Sequence, residues 1–176
     1  MRKYFYLLSL ALSATVLFPS CGDSDDDVVI DEAWKSANEE AFNKLTFDPS
    51  YERIASLSNS GHIYYKVIKT GSGIKPIYFT SRVSAYYTGS LIDGTVFDKA
   101  EYPDKLPVDF SISGVVKGWQ AALQHMHEGD RWEVWIPQEL GYAAVAQERS
   151  GQTSIPAYST LKFEIEIVKV FGIEEP

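Results

Sequence analysis

Cysteine occurs once in this 176-residue chain, at Cys21, and histidine three times. A lone thiol closes no internal disulfide, so packing must supply the stability. Metal catalysis needs converging ligands, which this thiol and His62, His125 and His127 do not supply. His125 and His127, two apart at a helix end, point to different sides and read as solvated groups. Basic residues are also scarce: 16 Lys and Arg stand against 24 Asp and Glu, a formal net charge of −8. That balance argues against a nucleic-acid partner, because such affinity comes largely from phosphate neutralisation by Lys and Arg. No G-x-S-x-G elbow offers a nucleophile. Gly71-Ser72-Gly73 lacks the third glycine and the βαβ setting of a phosphate loop and reads as a turn. No apolar run reaches the ~20 residues that span a bilayer.

What is present begins with a distinct N-terminus. Arg2 and Lys3 precede an uncharged apolar run from Tyr4 to Phe18, and residues 1–20 read as a signal peptide. The segment Phe18-Pro19-Ser20-Cys21-Gly22 resembles a bacterial lipobox, with Phe18 and Pro19 where a branched aliphatic and a small residue are usual. That resemblance implies lipid attachment at Cys21, membrane association through the anchor and a place in the cell envelope. Residues 21–30, with Asp23, Asp25, Asp26 and Asp27, are too charged to fold and form an acidic tether. Without Arg2 and Lys3, 14 basic residues face 24 acidic ones, a charge of −10.

The remainder, in a chain that is 45% hydrophobic, suits one domain with a short appendage. Residues 31–60 form the appendage: a helix, then a polar linker from Ser56 to Gly61. Trp34, Ala37, Ala41, Phe42 and Leu45 fall on one helical stripe, with Asp31 as N-cap and Glu32 in the first turn. The stripe either packs on its own domain or pairs two chains as a homodimer.

Residues 61–172 read as the main domain. His62 to Ile68 and Arg82 to Tyr87 are rich in β-branched and aromatic residues, and Asp93-Gly94 between apolar flanks signals a hairpin turn. Leu106 to Ile112 reads as a strand that starts at an edge because of Pro107. Val116, Trp119, Ala122, Leu123 and Met126 recur at helical spacing, giving one helix over Val116 to Met126. Asp130 to Ile136 and Leu161 to Val170 alternate with period two. The expected fold is α+β, an antiparallel β-sheet wrapped around one short α-helix, with an N-terminal helical extension.

The aromatics Tyr87, Phe97, Phe110, Trp119, Tyr142 and Phe163 taken singly suit a core. Taken in order with Thr88-Gly89, Asp93-Gly94, Asp98, Val115-Val116-Lys117-Gly118, Ala121-Ala122-Leu123, Met126, Gly129, Ile136-Pro137, Leu140-Gly141, Ile155-Pro156 and Leu161, they resemble the FKBP-type peptidyl-prolyl isomerases. The resemblance covers about His62 to Val170. It implies a pocket with Trp119 as floor, Tyr87, Phe97, Phe110 and Phe163 as walls, and Val115 and Val116 as a rim with a backbone N–H for the peptide. Asp98 would be a carboxylate held beside Tyr87, Tyr142 a hydroxyl donor over the pocket, and Ile155 an apolar lip. It further implies catalysis without cofactor or metal, proline-containing polypeptides as partners and macrolides as inhibitors.

Departures from the pattern concentrate after Tyr142. Ala143 stands where the family usually has Gly, and Ala144 to Ser154 is longer than the usual link to Ile155-Pro156. Val108 replaces a wall aromatic of some relatives, and Val116 is smaller than the common isoleucine. These differences leave a second function open, a weakly catalytic or non-catalytic module that holds proline-containing or unfolded segments.

Overall fold

A computed structural model describes residues 30–57, 61–150 and 152–171. The expected signal peptide, Cys21 and the tether up to residue 29 lie outside the described residues.

The described residues open with helix α1 (Glu32–Lys44), followed by strands β1 (Glu52–Ala55), β2 (His62–Lys69), β3 (Arg82–Ser90), β4 (Val96–Ala100) and β5 (Val108–Ser111). Helix α2 (Lys117–Leu123), β6 (Arg131–Ile136), the hairpin β7 (Gln147–Arg149) and β8 (Gln152–Ile155), and β9 (Leu161–Phe171) complete it. One antiparallel sheet runs in the order β1-β2-β6-β9-β3-β4, with β5 also paired to β3. The hairpin β7–β8 forms its own two-stranded sheet.

Alternation decides which face of the sheet is core. Leu161, Phe163, Ile165 and Ile167 of β9 are buried, as are Trp132, Val134 and Ile136 of β6. Helix α2 supplies Trp119, Ala121, Ala122 and Leu123 to the same cluster, which also takes Ile63, Val83, Ala85 and Ile112. Each large aliphatic buried there contributes about 1.5–3 kcal/mol relative to exposure. The helix is thus wrapped by the sheet, the expected α+β arrangement. Its ends are tighter than the spacing predicts: Val116 is the N-cap and Met126 lies past the last turn, although fully buried. The strand expected from Leu106 is shorter too, because Leu106 is 84% exposed and only Val108 onward pairs with β3.

Two features of the extension differ from expectation. Strand β1 lies within it, pairing Glu52 to Ala55 with Tyr65 to His62 at the sheet edge. Only Ile54 of these four is buried, so no alternation marks them; the charged Glu52 and Arg53 suit an exposed edge. In α1, Asp31 is the N-cap, its Oδ1 accepting the Trp34 N–H at 2.9 Å. The docking stripe, however, is Trp34, Asn38, Ala41, Phe42 and Leu45: Ala37 is exposed, and Asn38 is fully buried in its place. Asn38 Oδ1 accepts the Thr160 N–H at 2.7 Å, its Nδ2 donates to the Trp34 carbonyl at 2.8 Å, and its carbonyl accepts the Thr160 hydroxyl at 3.2 Å. A polar residue replaced an apolar one because the groove holds a backbone donor that burial would otherwise leave unpaired. Trp34 Nε1 donates to Ser159 Oγ at 3.1 Å, and Phe42 and Leu45 pack with Tyr64 in a second apolar cluster. The helix therefore spends its apolar stripe on its own domain.

Candidate active site

Ten residues that the sequence pattern nominates surround one cavity of about 480 Å³, and they reach it from seven different segments. Trp119 stands on the first turn of α2 and is 4% exposed. Tyr87 comes from β3, Phe110 from β5 and Phe163 from β9. Their rings meet the indole edge-on, with centroid distances of 5.6, 5.1 and 5.2 Å. Phe97 on β4 adds an edge contact to Phe163 at 5.5 Å. Such T-shaped contacts are favourable beyond area burial and fix each ring against rotation. Gly89 makes the last contact feasible, since a Cβ there would stand 2.6 Å from the Phe97 ring and 2.7 Å from that of Phe163.

The rim is backbone and short aliphatics. Val115 and Val116 lead into α2, and Gln120 Nε2 donates to the Val115 carbonyl at 2.8 Å, which fixes the rim from within the helix. Ile155, at the end of β8 and 5% exposed, forms the opposite lip.

Polar groups gather on one side. The Tyr87 hydroxyl donates to Asp98 Oδ2 at 2.7 Å. Burial first, then the bond to the Asp98 carboxylate, pushes the Tyr87 phenol well above its usual range, so it remains a donor at neutral pH. Burial and the nearby Asp98 charge raise Tyr142 as well, which keeps that half-exposed hydroxyl protonated and able to donate. Asp98 Oδ1 accepts from the Lys99 N–H at 2.9 Å and from Arg149 Nη1 at 3.3 Å.

Arg149 is absent from the sequence-derived set, and so are its hairpin neighbours Gln147, Glu148 and Ser154, which also line the cavity. The long segment Ala144 to Ser154 marked this loop as altered, but its length gave no sign that it pairs with itself as β7–β8. Ala143, in the usual glycine position, holds a left-handed φ of +52°. Its N–H donates to Gln138 O at 2.9 Å and its carbonyl accepts from Tyr158 N at 2.7 Å, anchoring the turn that carries Tyr142. The segment past the lip is tied to α1 through Ser159 and Thr160. His125 and His127 are exposed near the end of α2, His125 Nδ1 lying 2.9 Å from Ala121 O. Among the described residues no three His, Cys, Asp or Glu are grouped to hold a metal ion.

A sheet curled round one helix, with an aromatic cavity rimmed by hydrogen-bonding groups, defines an α+β class of protein with an open pocket. Comparison with known proteins gives that class a family. Residues 78–168 match the family model described as FKBP-type peptidyl-prolyl cis-trans isomerase, and the chain belongs to that family. It is 43% identical over 113 residues to the FKBP-type 22 kDa peptidyl-prolyl cis-trans isomerase of Escherichia coli, covering 64% of this chain and 52% of that protein. It is 33% identical over 176 residues to the macrophage infectivity potentiator of Trypanosoma cruzi, covering 96% of this chain and 85% of the relative. The chain thus spans about half the length of the first of these relatives and most of the second. A crystal structure of a peptidyl-prolyl cis-trans isomerase from Pseudomonas syringae superposes with a TM-score of 0.66 at 28% identity, covering 80% of this chain and 96% of that one.

Proposed function

We propose that this chain isomerises X–Pro peptide bonds in exported polypeptides and so assists their folding. The observation that carries the reading is the box of three rings set edge-on around the buried Trp119, open to solvent beside Tyr142 and Asp98. A proline ring is flat enough to rest on that indole. Uncatalysed turnover takes tens to hundreds of seconds, because amide resonance sets a barrier of ~18–20 kcal/mol. The planar amide is more charge-separated than the twisted one. A water-poor aromatic cavity therefore disfavours the planar start relative to the transition state. The Tyr142 hydroxyl and a rim N–H at Val116 hold the carbonyls flanking the proline while the bond turns. Phe97, Phe110, Phe163 and Ile155 enclose the ring, and Asp98 with Tyr87 shapes the polar wall. This chemistry needs no cofactor, and a macrolide that fills the cavity competes with the peptide.

In the same reading Cys21 carries a lipid that keeps the domain in the cell envelope. The lipobox-like segment supports this, as does the name of a Legionella longbeachae relative, outer membrane protein MIP, 43% identical over 108 residues. Detergent-phase partition that Cys21→Ala does not alter would remove that part.

The test of the activity is a protease-coupled assay on a chromogenic X-Pro-Phe peptide. Acceleration over buffer is expected, and Tyr142→Phe lowers kcat/KM about three- to tenfold, the loss of one hydrogen bond. A folded protein that gives no acceleration refutes the activity and leaves peptide holding as the function of the cavity.

A further inference from the structure

The hairpin β7–β8 pairs Gln147 with Ile155 and Arg149 with Gln152, and no main-sheet strand pairs with it among the described residues. Its turn at Ser150 is left-handed, with φ +54°, and Ser154 Oγ closes it internally by donating to the Gln147 carbonyl at 3.1 Å. It is joined to β4, whose Asp98 also lines the cavity, by Arg149 Nη1, 3.3 Å from Asp98 Oδ1. The partner, Asp98, is the carboxylate whose other oxygen accepts the Tyr87 hydroxyl. Arg149 is also the sole cation among the cavity-lining residues, where the acids are Asp98 and Glu148. With Arg149 the lining carries one net negative charge; without it, two.

We propose that Arg149 is a positioning and specificity residue of this site: its pair with Asp98 latches the hairpin to β4 and makes the wall tolerant of an acidic client residue beside the proline. The proposal rests on the isomerase reading above. Guanidinium suits the role because its planar fork can bond Asp98 while its remaining N–H groups face a passing peptide. The pair is largely exposed, with side chains 67% and 41% accessible, so it is weak enough to yield to a client and to salt.

The experiment compares the parent with Arg149→Gln and Arg149→Lys. Isomerisation is measured on X-Pro-Phe peptides with alanine, glutamate or lysine before the proline, and amide exchange over residues 147–155 is followed in parallel. Arg149→Gln is expected to raise KM about two- to fivefold on the alanine peptide, the size of an exposed ion pair, with kcat within about twofold. The glutamate peptide loses more than the lysine peptide, and Arg149→Lys restores that charge ratio. Exchange across the hairpin quickens in Arg149→Gln at unchanged melting temperature, and in an Asp98→Asn background the same substitution adds nothing. Unaltered exchange, or an unaltered glutamate-to-lysine ratio, overturns the proposal. A parent that exchanges as expected yet does not isomerise refutes the activity alone, and the exchange comparison still decides the latch.

Discussion

Asn38 offers the sharpest test of how the N-terminal helix is held. Its carboxamide is fully buried, taking the Thr160 N–H at 2.7 Å and giving a bond to the Trp34 carbonyl at 2.8 Å. A 13-residue helix is marginal on its own in water, so α1 exists because it docks. Asn38→Ala leaves the Thr160 N–H buried without its acceptor, at about 1–3 kcal/mol. The vacated space adds about 1 kcal/mol more. Together that is about 2–4 kcal/mol out of a total stability of order 5–15 kcal/mol. At about 2–4 °C per kcal/mol for a chain of this size, melting falls by roughly 5–15 °C.

The control is Glu39→Ala, one residue along on the exposed face, which shifts stability by no more than about 0.5 kcal/mol. Thermal melts followed by circular dichroism give both numbers. Because Thr160 closes the segment that begins at the Ile155 lip, Asn38→Ala also raises KM for X-Pro peptides. An Asn38→Ala protein that melts with the parent refutes the docking, and with it any role for α1 in supporting the cavity.

Trp119→Ala removes a side chain that three rings surround, so stability drops about 3–5 kcal/mol and isomerisation falls with it; unchanged melting would show the indole is not buried. Ala143→Gly relieves a left-handed φ of +52° and raises stability by about 0.5–1 kcal/mol, which a urea melt detects as a higher midpoint at constant m. Burial first, then the Arg53 charge, depresses the His62 pKa below its usual 6.5. The unfolded chain then binds the proton first as pH falls, so stability is present above pH 6.5 and declines below it toward the folded pKa. Stability measured from pH 7 to 5 falls less steeply in His62→Phe; equal slopes would refute the shift.

Period and packing explain what the sequence reveals. Leu161, Phe163, Ile165 and Ile167 alternate because β9 is a central strand with one face on α2, and a one-residue slip would expose all four. Trp119 reads as buried because its spacing with Ala122, Leu123 and Met126 points it into the same core, while its reading as a floor is what the family resemblance implies. Strand β1 escapes detection since only Ile54 is buried, and its structure comes from the β2 edge beside it. Asn38 escapes for a different reason. Its polarity contradicts the apolar stripe, and the donor that justifies its burial lies 122 residues away at Thr160. Arg149 is likewise silent, because its partner Asp98 is 51 residues distant and no local pattern links the two.

The same division separates what can vary in this pocket from what cannot. Trp119 and Phe163 are buried in the main apolar cluster, with Tyr87, Phe97 and Phe110 packed against it, so each wall is also part of the fold's stability. A substitution there changes folding and ligand together and has little freedom to adjust preference alone. Ile155 of β8 shares that double duty, since it is buried in the same cluster, but residues 147–149 do not: among the described residues β7 pairs only with β8 and meets β4 through the exposed Arg149–Asp98 ion pair. Residues 147–149 can therefore change charge at small thermodynamic cost while facing whatever the cavity holds. If preference among proline-containing clients differs between this chain and its relatives, the physical freedom for that difference lies in residues 147–149 rather than in the aromatic box or the buried Ile155.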